Sequence, residues 1–279
     1  MRAILAAAAA CALGACASAA PTHSPHADPA RRIVSLMPSL TEDLCAIGAR
    51  TQIVGVSEYS QDIACARGVP SVGNAASIDA ERIVRLRADA VAAIPAQRAL
   101  TEPLRRAGIA TSFFNDDSYA DIFSDIDGLG KLSGHSGEAR NLAASLKSRT
   151  AQLRGTERGK SRPRVFVVIQ AQPIWTVGPA SYISELLRLA GATDAVAQLP
   201  QPYAQYSAEA LVRADPDVIV ATSDSGLRSA LANEPWRSLR AVRARRVYIL
   251  RDDAILVRPG PRYNEGLAWL IERLKTSGT

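Results

Sequence analysis

A two-lobed α/β fold, with mostly parallel sheets covered by helices and a ligand cleft between the lobes, is predicted by three observations. Short β-rich runs alternate with helical patterns along the chain, as in parallel sheets built through crossover helices. One long amphipathic stretch divides the alternation into two blocks. A helix-strand segment of the first block is echoed in the second. Two lobes on one long helix leave a cleft, and ligand sites favour such domain interfaces.

In the first block, Arg32 to Leu36, Ile53 to Val56, Asp89 to Ile94 and Ala110 to Phe114 are short β-rich runs and are expected as strands. Leu40 to Ile47, Asp79 to Leu86 and Thr101 to Ala107 carry helical spacing, with Gly48 and Gly108 where C-caps belong. The Gly/Ser punctuation from Ser133 to Gly137 opens the most periodic helix, with Ala139, Leu142, Ala143, Leu146 and Leu153 on one stripe. About 20 helical residues reach about 30 Å, the width of a small domain. The charged, apolar-poor stretch from Gly155 to Arg164 closes it. In the second block Val165 to Ile169, Asp217 to Ala221 and Arg246 to Leu250 are the clearest strands, and Ile183 to Ala190, Ala208 to Ala214 and Tyr263 to Leu274 the helices. These patterns place an N-terminal lobe at 32–133, a connecting helix at 134–157 and a C-terminal lobe at 158–279.

The echo pairs the segment Ser77 to Val91 with Tyr206 to Ile219. Each reads as a short helix with an Asp or Ser start, a Glu in its first turn, an apolar face, then Asp and a strand. Capping and the helix dipole account for part of this, because Asp79 and Ser207 suit N-caps and Glu81 and Glu209 suit the positive end. The other account makes Glu81 and Glu209 a matched outward pair, one on each lobe.

With 47% hydrophobic and 22% charged residues among 279, the chain is neither disordered, collagenous nor a multi-span membrane protein. The surplus of 33 Lys and Arg over 27 Asp and Glu is too small and dispersed to demand a nucleic-acid partner. Only three histidines occur, His23, His26 and His135, which leaves little material for His-dependent catalysis or a metal site. His135 is expected in a solvated turn. No hydrolase, zinc-protease or phosphate-loop motif is present, so an enzyme has no visible machinery. The acidic run of Asn115, Asp116 and Asp117, with Asp121, Asp125 and Asp127, is expected as exposed loop and helix-start carboxylates.

Residues 1–20 read as an export signal: Arg2, an apolar run of about 11 residues too short to span a bilayer, then small residues. Within it, Leu13-Gly14-Ala15-Cys16 looks like a lipobox that would make Cys16 a lipidated first residue, while Ala17-Ser18-Ala19 offers ordinary cleavage. Residues 21–31, with three prolines and both His23 and His26, read as a tether. Cys45 and Cys65 are the thiols that remain, and an oxidising compartment favours pairing them. The alternative is a buried free Cys45 and an unrelated Cys65.

The residues also carry a resemblance. Arg32-Ile33-Val34-Ser35-Leu36-Met37-Pro38-Ser39-Leu40-Thr41-Glu42, then Val54-Gly55-Val56-Ser57-Glu58-Tyr59, Val69-Pro70-Ser71-Val72-Gly73 and the Glu81 segment come first. Pro173-Ile174-Trp175-Thr176-Val177-Gly178, Leu186 to Ala192 and Arg258-Pro259-Gly260-Pro261-Arg262 follow in order. The series, covering roughly 31–274, resembles the periplasmic binding proteins of importers for vitamin B12, haem and iron-siderophores. That resemblance implies a rigid connecting helix, a monomer without resident cofactor or metal, and delivery of a captured ligand to an ABC permease dimer. It implies that Glu81 and Glu209 dock against the two permease subunits. Its vitamin B12 branch is the most similar in the Tyr59 and Trp175 segments, which implies cobalamin or a related corrinoid as ligand, with Tyr59, Trp175, Tyr203 and Arg258 as contacts. Ala75 and Ile94 stand where that branch has tryptophans, so the wall is roomier. Haem or an Fe(III)-siderophore is the alternative ligand, favoured by a cleft ringed with arginines, and an exported adaptor or sensor without a transporter is the alternative class. Trp236 is expected to pack before a helix, and Trp269 to lie in the core.

Overall fold

The computed structural model describes residues 28–115, 117–155, 162–196 and 198–275. The export signal with Cys11 and Cys16, most of the tether with His23 and His26, and Asp116 lie outside the described residues. In the first lobe the β-rich runs become β1 (Ile33–Ser35), β2 (Ile53–Val56), β3 (Ala90–Ala93) and β4 (Ala110–Phe113), alternating with α1 (Pro38–Ala46), α2 (Ala80–Arg85) and α3 (Arg98–Arg106). They form a parallel sheet ordered β2-β1-β3-β4. Every residue of β1 and β3 is buried, as a strand covered on both faces requires.

The second lobe contains β5 (Arg164–Ala171), β6 (Ile174–Val177), α6 (Tyr182–Leu189), β7 (Thr193–Asp194), β8 (Tyr203–Gln205), α7 (Ala208–Ala214) and β9 (Val218–Ala221). It continues with α8 (Leu227–Ala230), α9 (Arg240–Arg243), β10 (Val247–Ile249), α10 (Ala254–Val257) and α11 (Tyr263–Lys275). Its sheet runs β10-β9-β5-β6-β8, with β7 also on β5. β10, β9, β5 and β7 pair in parallel, while β6 and β8 add an antiparallel extension that the strand patterns do not predict. Trp236, 2% exposed, packs edge-on against Phe166 as expected. Trp269 is half-buried instead of central, and Arg273 lies over its ring.

Two helices lie between the lobes. α5 (Ser136–Gly155) is the long helix expected at 134–157, and α4 (Tyr119–Ser133) runs antiparallel beside it. Of the carboxylates expected in an exposed loop and helix start, Asp117 is exposed before α4 and Asp121 caps its start reciprocally with Ser118, while Asp127 pairs with Lys131 inside the helix and Asp125 is buried. At the turn Gly130 meets Ala139 so closely that an added Cβ would fall 2.5 Å away. His135 is half-buried there, 3.1 Å from the Ser133 carbonyl, and not in a solvated turn. At the other end Tyr119, Thr150 and Tyr263 share hydroxyl contacts of 2.6 to 3.4 Å, tying the pair to α11 of the second lobe.

The echo is structural as well as sequential. Asp79 accepts from Arg82 N at the start of α2 and Ser207 from Ala210 N at the start of α7. Both helices leave through a left-handed residue, Arg87 (φ 51°) and Asp215 (φ 34°). The Arg32 side chain then donates to the Leu86 carbonyl and Arg164 to that of Ala214, at 2.8 Å each. Asp89 accepts from the backbone of Arg32 and Asp217 from that of Arg164. General capping chemistry does not demand these shared arginine clamps; a repeated lobe does.

Cys45 and Cys65 are joined across 20 residues. In the chain-entropy account a loop of that size contributes about 3 kcal/mol, so replacing both by Ala is expected to lower unfolding free energy in urea by about that amount. An unchanged midpoint would show the bond to be dispensable.

Asp43 on α1 is 1% exposed, and its carboxyl oxygens have no hydrogen-bond partner among the described residues. Burial, then the Asp125 and Glu42 carboxylates, push its pKa well above the ordinary 3.8. A carboxyl raised on folding binds more proton in the folded state, so its stabilisation is complete below pH 3.8 and is lost as pH rises through the folded value. Asp43→Asn is expected to flatten this decline in thermal melts run from acid to neutral pH; an unaltered profile would contradict it.

Candidate functional site

The wall on the first lobe starts where β2 ends. Ser57 N donates to the Ser35 carbonyl (3.0 Å) and Glu58 N to that of Gly73 (2.7 Å). Thr41 Oγ1 lies 2.9 Å from Ser35 Oγ and 3.2 Å from Ser60 Oγ, all buried. These bonds hold the loop on the carboxyl edge of the sheet, the edge at which α/β proteins bind ligands. Tyr59 projects from it, 55% exposed.

On the second lobe a depression of about 600 Å3 opens beside the strand ends. Ile169 and Gln170 of β5, Thr222 and Asp224 after β9, Asp253 after β10, Val257 of α10, Ile183 of α6 and Tyr203 of β8 line it. Thr222 donates to the Ile169 carbonyl, and Ser223 donates through N (2.8 Å) and Oγ (2.6 Å) to Asp253, so these loops are fixed to one another. The lining combines three aliphatic side chains with one amide, two hydroxyls (Thr222 and the Tyr203 phenol) and two carboxylates, and among the described residues no arginine belongs to it.

Arg258, next to Val257, crosses to the first lobe. Its guanidinium reaches Glu42 Oε1 at 3.1 Å and Asp62 Oδ2 at 3.0 Å. Glu42 is 7% exposed in its side chain. Burial raises its pKa, and the neighbouring Arg258 charge and hydrogen bond oppose that rise. Gly260 packs behind this latch, where a Cβ would sit 3.7 Å from Glu42 Oε2 and 3.8 Å from Ser39. Asp62 lies three residues after Tyr59, so the latch sets the Tyr59 loop opposite the depression.

The expected residues therefore divide. Tyr203 lines the depression, 42% exposed. Trp175, 36% exposed, pairs with Gln205 while Val177 pairs with Tyr203, so the two-residue alternation places Trp175 and Tyr203 on one face of the strand pair. Trp175 stands outside the depression's own lining. Arg258, expected as a polar ligand contact, is instead held by two carboxylates of the opposite lobe. Ala75 is exposed and Ile94 half-buried, and neither supplies a ring. Glu81 and Glu209 are exposed on α2 and α7. Gln170, Thr222, Asp224 and Asp253 line the depression without having been expected there. The strand-end rule that selects Tyr59 also selects Thr222, Asp224 and Asp253, which lie one to three residues after predicted strands. Among the described residues no group of three His, Cys, Asp or Glu side chains is placed to hold a metal ion.

Residues 33–254 match the model of a family described as periplasmic binding protein. The chain belongs to that family. This periplasmic binding protein is 29% identical over 256 residues to an uncharacterized ABC transporter substrate-binding lipoprotein of Bacillus subtilis, covering 88% of this chain and 80% of the relative. It is 30% identical over 251 residues to a vitamin B12-binding protein of Vibrio cholerae, covering 88% and 90%. The crystal structure of the periplasmic vitamin B12-binding protein of V. cholerae superposes with a TM-score of 0.77 over 89% of this chain and 98% of that one. A periplasmic haem-binding protein from Pseudomonas aeruginosa, 26% identical, superposes with a TM-score of 0.79 over 90% and 94%. The chain is thus a substrate-binding protein of the ABC importer kind, in a family whose members include vitamin B12 and haem binders.

Proposed function

We propose that this binding protein captures cobalamin or a related corrinoid between its lobes and delivers it to an ABC import permease. The observation that supports this reading is the depression itself, which combines Tyr203 and apolar side chains with Gln170, Thr222, Asp224 and Asp253 and, among the described residues, contains no arginine. Catecholate chelates and the carboxylates of haem bring negative charge, and the two aspartates repel it. A corrinoid presents a broad apolar ring system fringed by neutral amides, whose N–H groups suit carboxylate and carbonyl acceptors. Tyr59, Trp175 and Tyr203 supply stacking surface, each ring removing some 150 to 250 Å2 from water. Arg258 reaches the ligand only by leaving Glu42 or Asp62. A haem receptor would need an axial ligand, for which Tyr59 and Tyr203 are the candidate side chains.

Glu81 and Glu209 are proposed to meet basic residues on the two halves of the permease, because the two lobes hold them in equivalent positions. The protein acts as a monomer in the periplasm, without a resident cofactor or metal and without catalysis. Where processing falls before Cys16, a lipid anchor holds it at the membrane.

Protein purified from its own source is expected to carry the red absorbance of a corrinoid, and a haem Soret band in its place would contradict the ligand assignment. Tyr59→Ala and Trp175→Ala are each expected to weaken cyanocobalamin binding by about 1 kcal/mol or more, as loss of a stacked ring should. Equilibrium absorbance titration measures both, and unchanged affinity in the pair would move the cleft elsewhere.

A further inference from the structure

Among the described residues, five large apolar side chains are 36% exposed or more. Tyr59, Trp175 and Tyr203 belong to the cleft. The other two are Val84 and Val212, each 47% exposed. They occupy the same place in the two echoed helices: Val84 follows buried Ile83 in α2, and Val212 follows buried Leu211 in α7. An exposed glutamate stands three residues before each, Glu81 and Glu209, and an exposed arginine directly after, Arg85 and Arg213. Residues three and four apart share a helix face, so each helix presents a carboxylate, an isopropyl group and a guanidinium together. The shared caps, left-handed exits and arginine clamps hold the two helices alike.

A single exposed valine needs no explanation. Two at the same place in the two lobes form a repeated patch with an apolar centre and a charged rim, the anatomy of a docking surface. We propose that Val84 and Val212 are the apolar centres of two equivalent docking patches, each covered by one of two like subunits of the membrane permease. Each subunit presents an apolar side chain beside a basic one. The inference rests on the docking role proposed for Glu81 and Glu209, and adds the contact that excludes water between those charges. A second copy of this chain is a poorer occupant. Two self-complementary patches on separate lobes would link copies into open chains, whereas two like subunits close the assembly at once.

Binding to nanodiscs made from the inner membrane of the source organism, followed by interferometry with ligand-loaded protein, tests this. Val84→Gln with Val212→Gln is expected to weaken docking at least tenfold, with each single change intermediate, while Val84→Leu with Val212→Leu docks like the parent. Cyanocobalamin affinity and melting temperature stay unchanged in all of them, which separates docking from folding. If the Gln pair docks normally while Glu81→Lys with Glu209→Lys does not, the valines play no part although the glutamates do. If neither pair alters docking, the glutamate reading fails too. Concentration-dependent self-association in sedimentation that the Gln pair abolishes would assign the patches to a second copy and overturn the proposal.

Discussion

Arg258→Ala is expected to destabilise the protein by about 3 kcal/mol, because it leaves the Glu42 carboxylate buried without its cation. Glu42 is 7% exposed, and its Oε2 already has no hydrogen-bond partner among the described residues, so Arg258 is its principal compensation. The Arg258 side chain is itself 19% exposed, and Asp62 is 63% exposed. Asp62→Ala is therefore expected to cost no more than about 1 kcal/mol, as a solvated pair does. The pairing of Arg258→Ala with Glu42→Gln separates the two terms, since the double variant recovers most of the loss when the unpaired charge is its cause. Urea unfolding measures all four proteins. A loss below about 1 kcal/mol for Arg258→Ala would mean that water reaches Glu42 and the latch does not hold the lobes.

Glu81→Lys with Glu209→Lys is expected to abolish uptake of ligand by cells while leaving binding by the purified protein intact. Each reversal turns an attraction into a repulsion at the rim of a docking patch, and a tenfold loss for each single change corresponds to about 1.4 kcal/mol. Glu81 bears on this unequally, because Arg85 lies 3.5 Å from its carboxylate and partly neutralises it. The Glu209 single change is accordingly expected to have the larger effect. Normal uptake by the double variant would support an exported adaptor or sensor role in place of transport.

The two-lobed fold was legible because buried parallel strands are continuous apolar runs: Ile53–Val56 and the helix Ala208–Ala214 have the bounds their patterns predict. Helix α4 was not, because its polar residues have several separate uses. Asp121 caps, Asp127 pairs with Lys131 and Asp125 is buried, so the carboxylates do not sort onto one solvated stripe. The β6 and β8 strands escaped notice because neither is a continuous buried run: Trp175 is exposed within β6, and Tyr203 and Gln205 are exposed in β8. In the site, position after a strand selects Tyr59, and applied throughout it also selects Thr222, Asp224 and Asp253. Arg258 shows the limit of residue type as a guide. An arginine near a cleft suits a ligand or a latch equally, and the choice depends on Glu42 and Asp62, more than 190 residues away in the chain.

Calorimetric titration of the mature protein with cyanocobalamin and, in parallel, with haem tests whether the cleft takes a neutral-fringed corrinoid. Saturable one-to-one binding of cyanocobalamin at micromolar affinity or tighter is expected, with haem weaker by at least about tenfold. Saturation by haem with no heat from the corrinoid would contradict it.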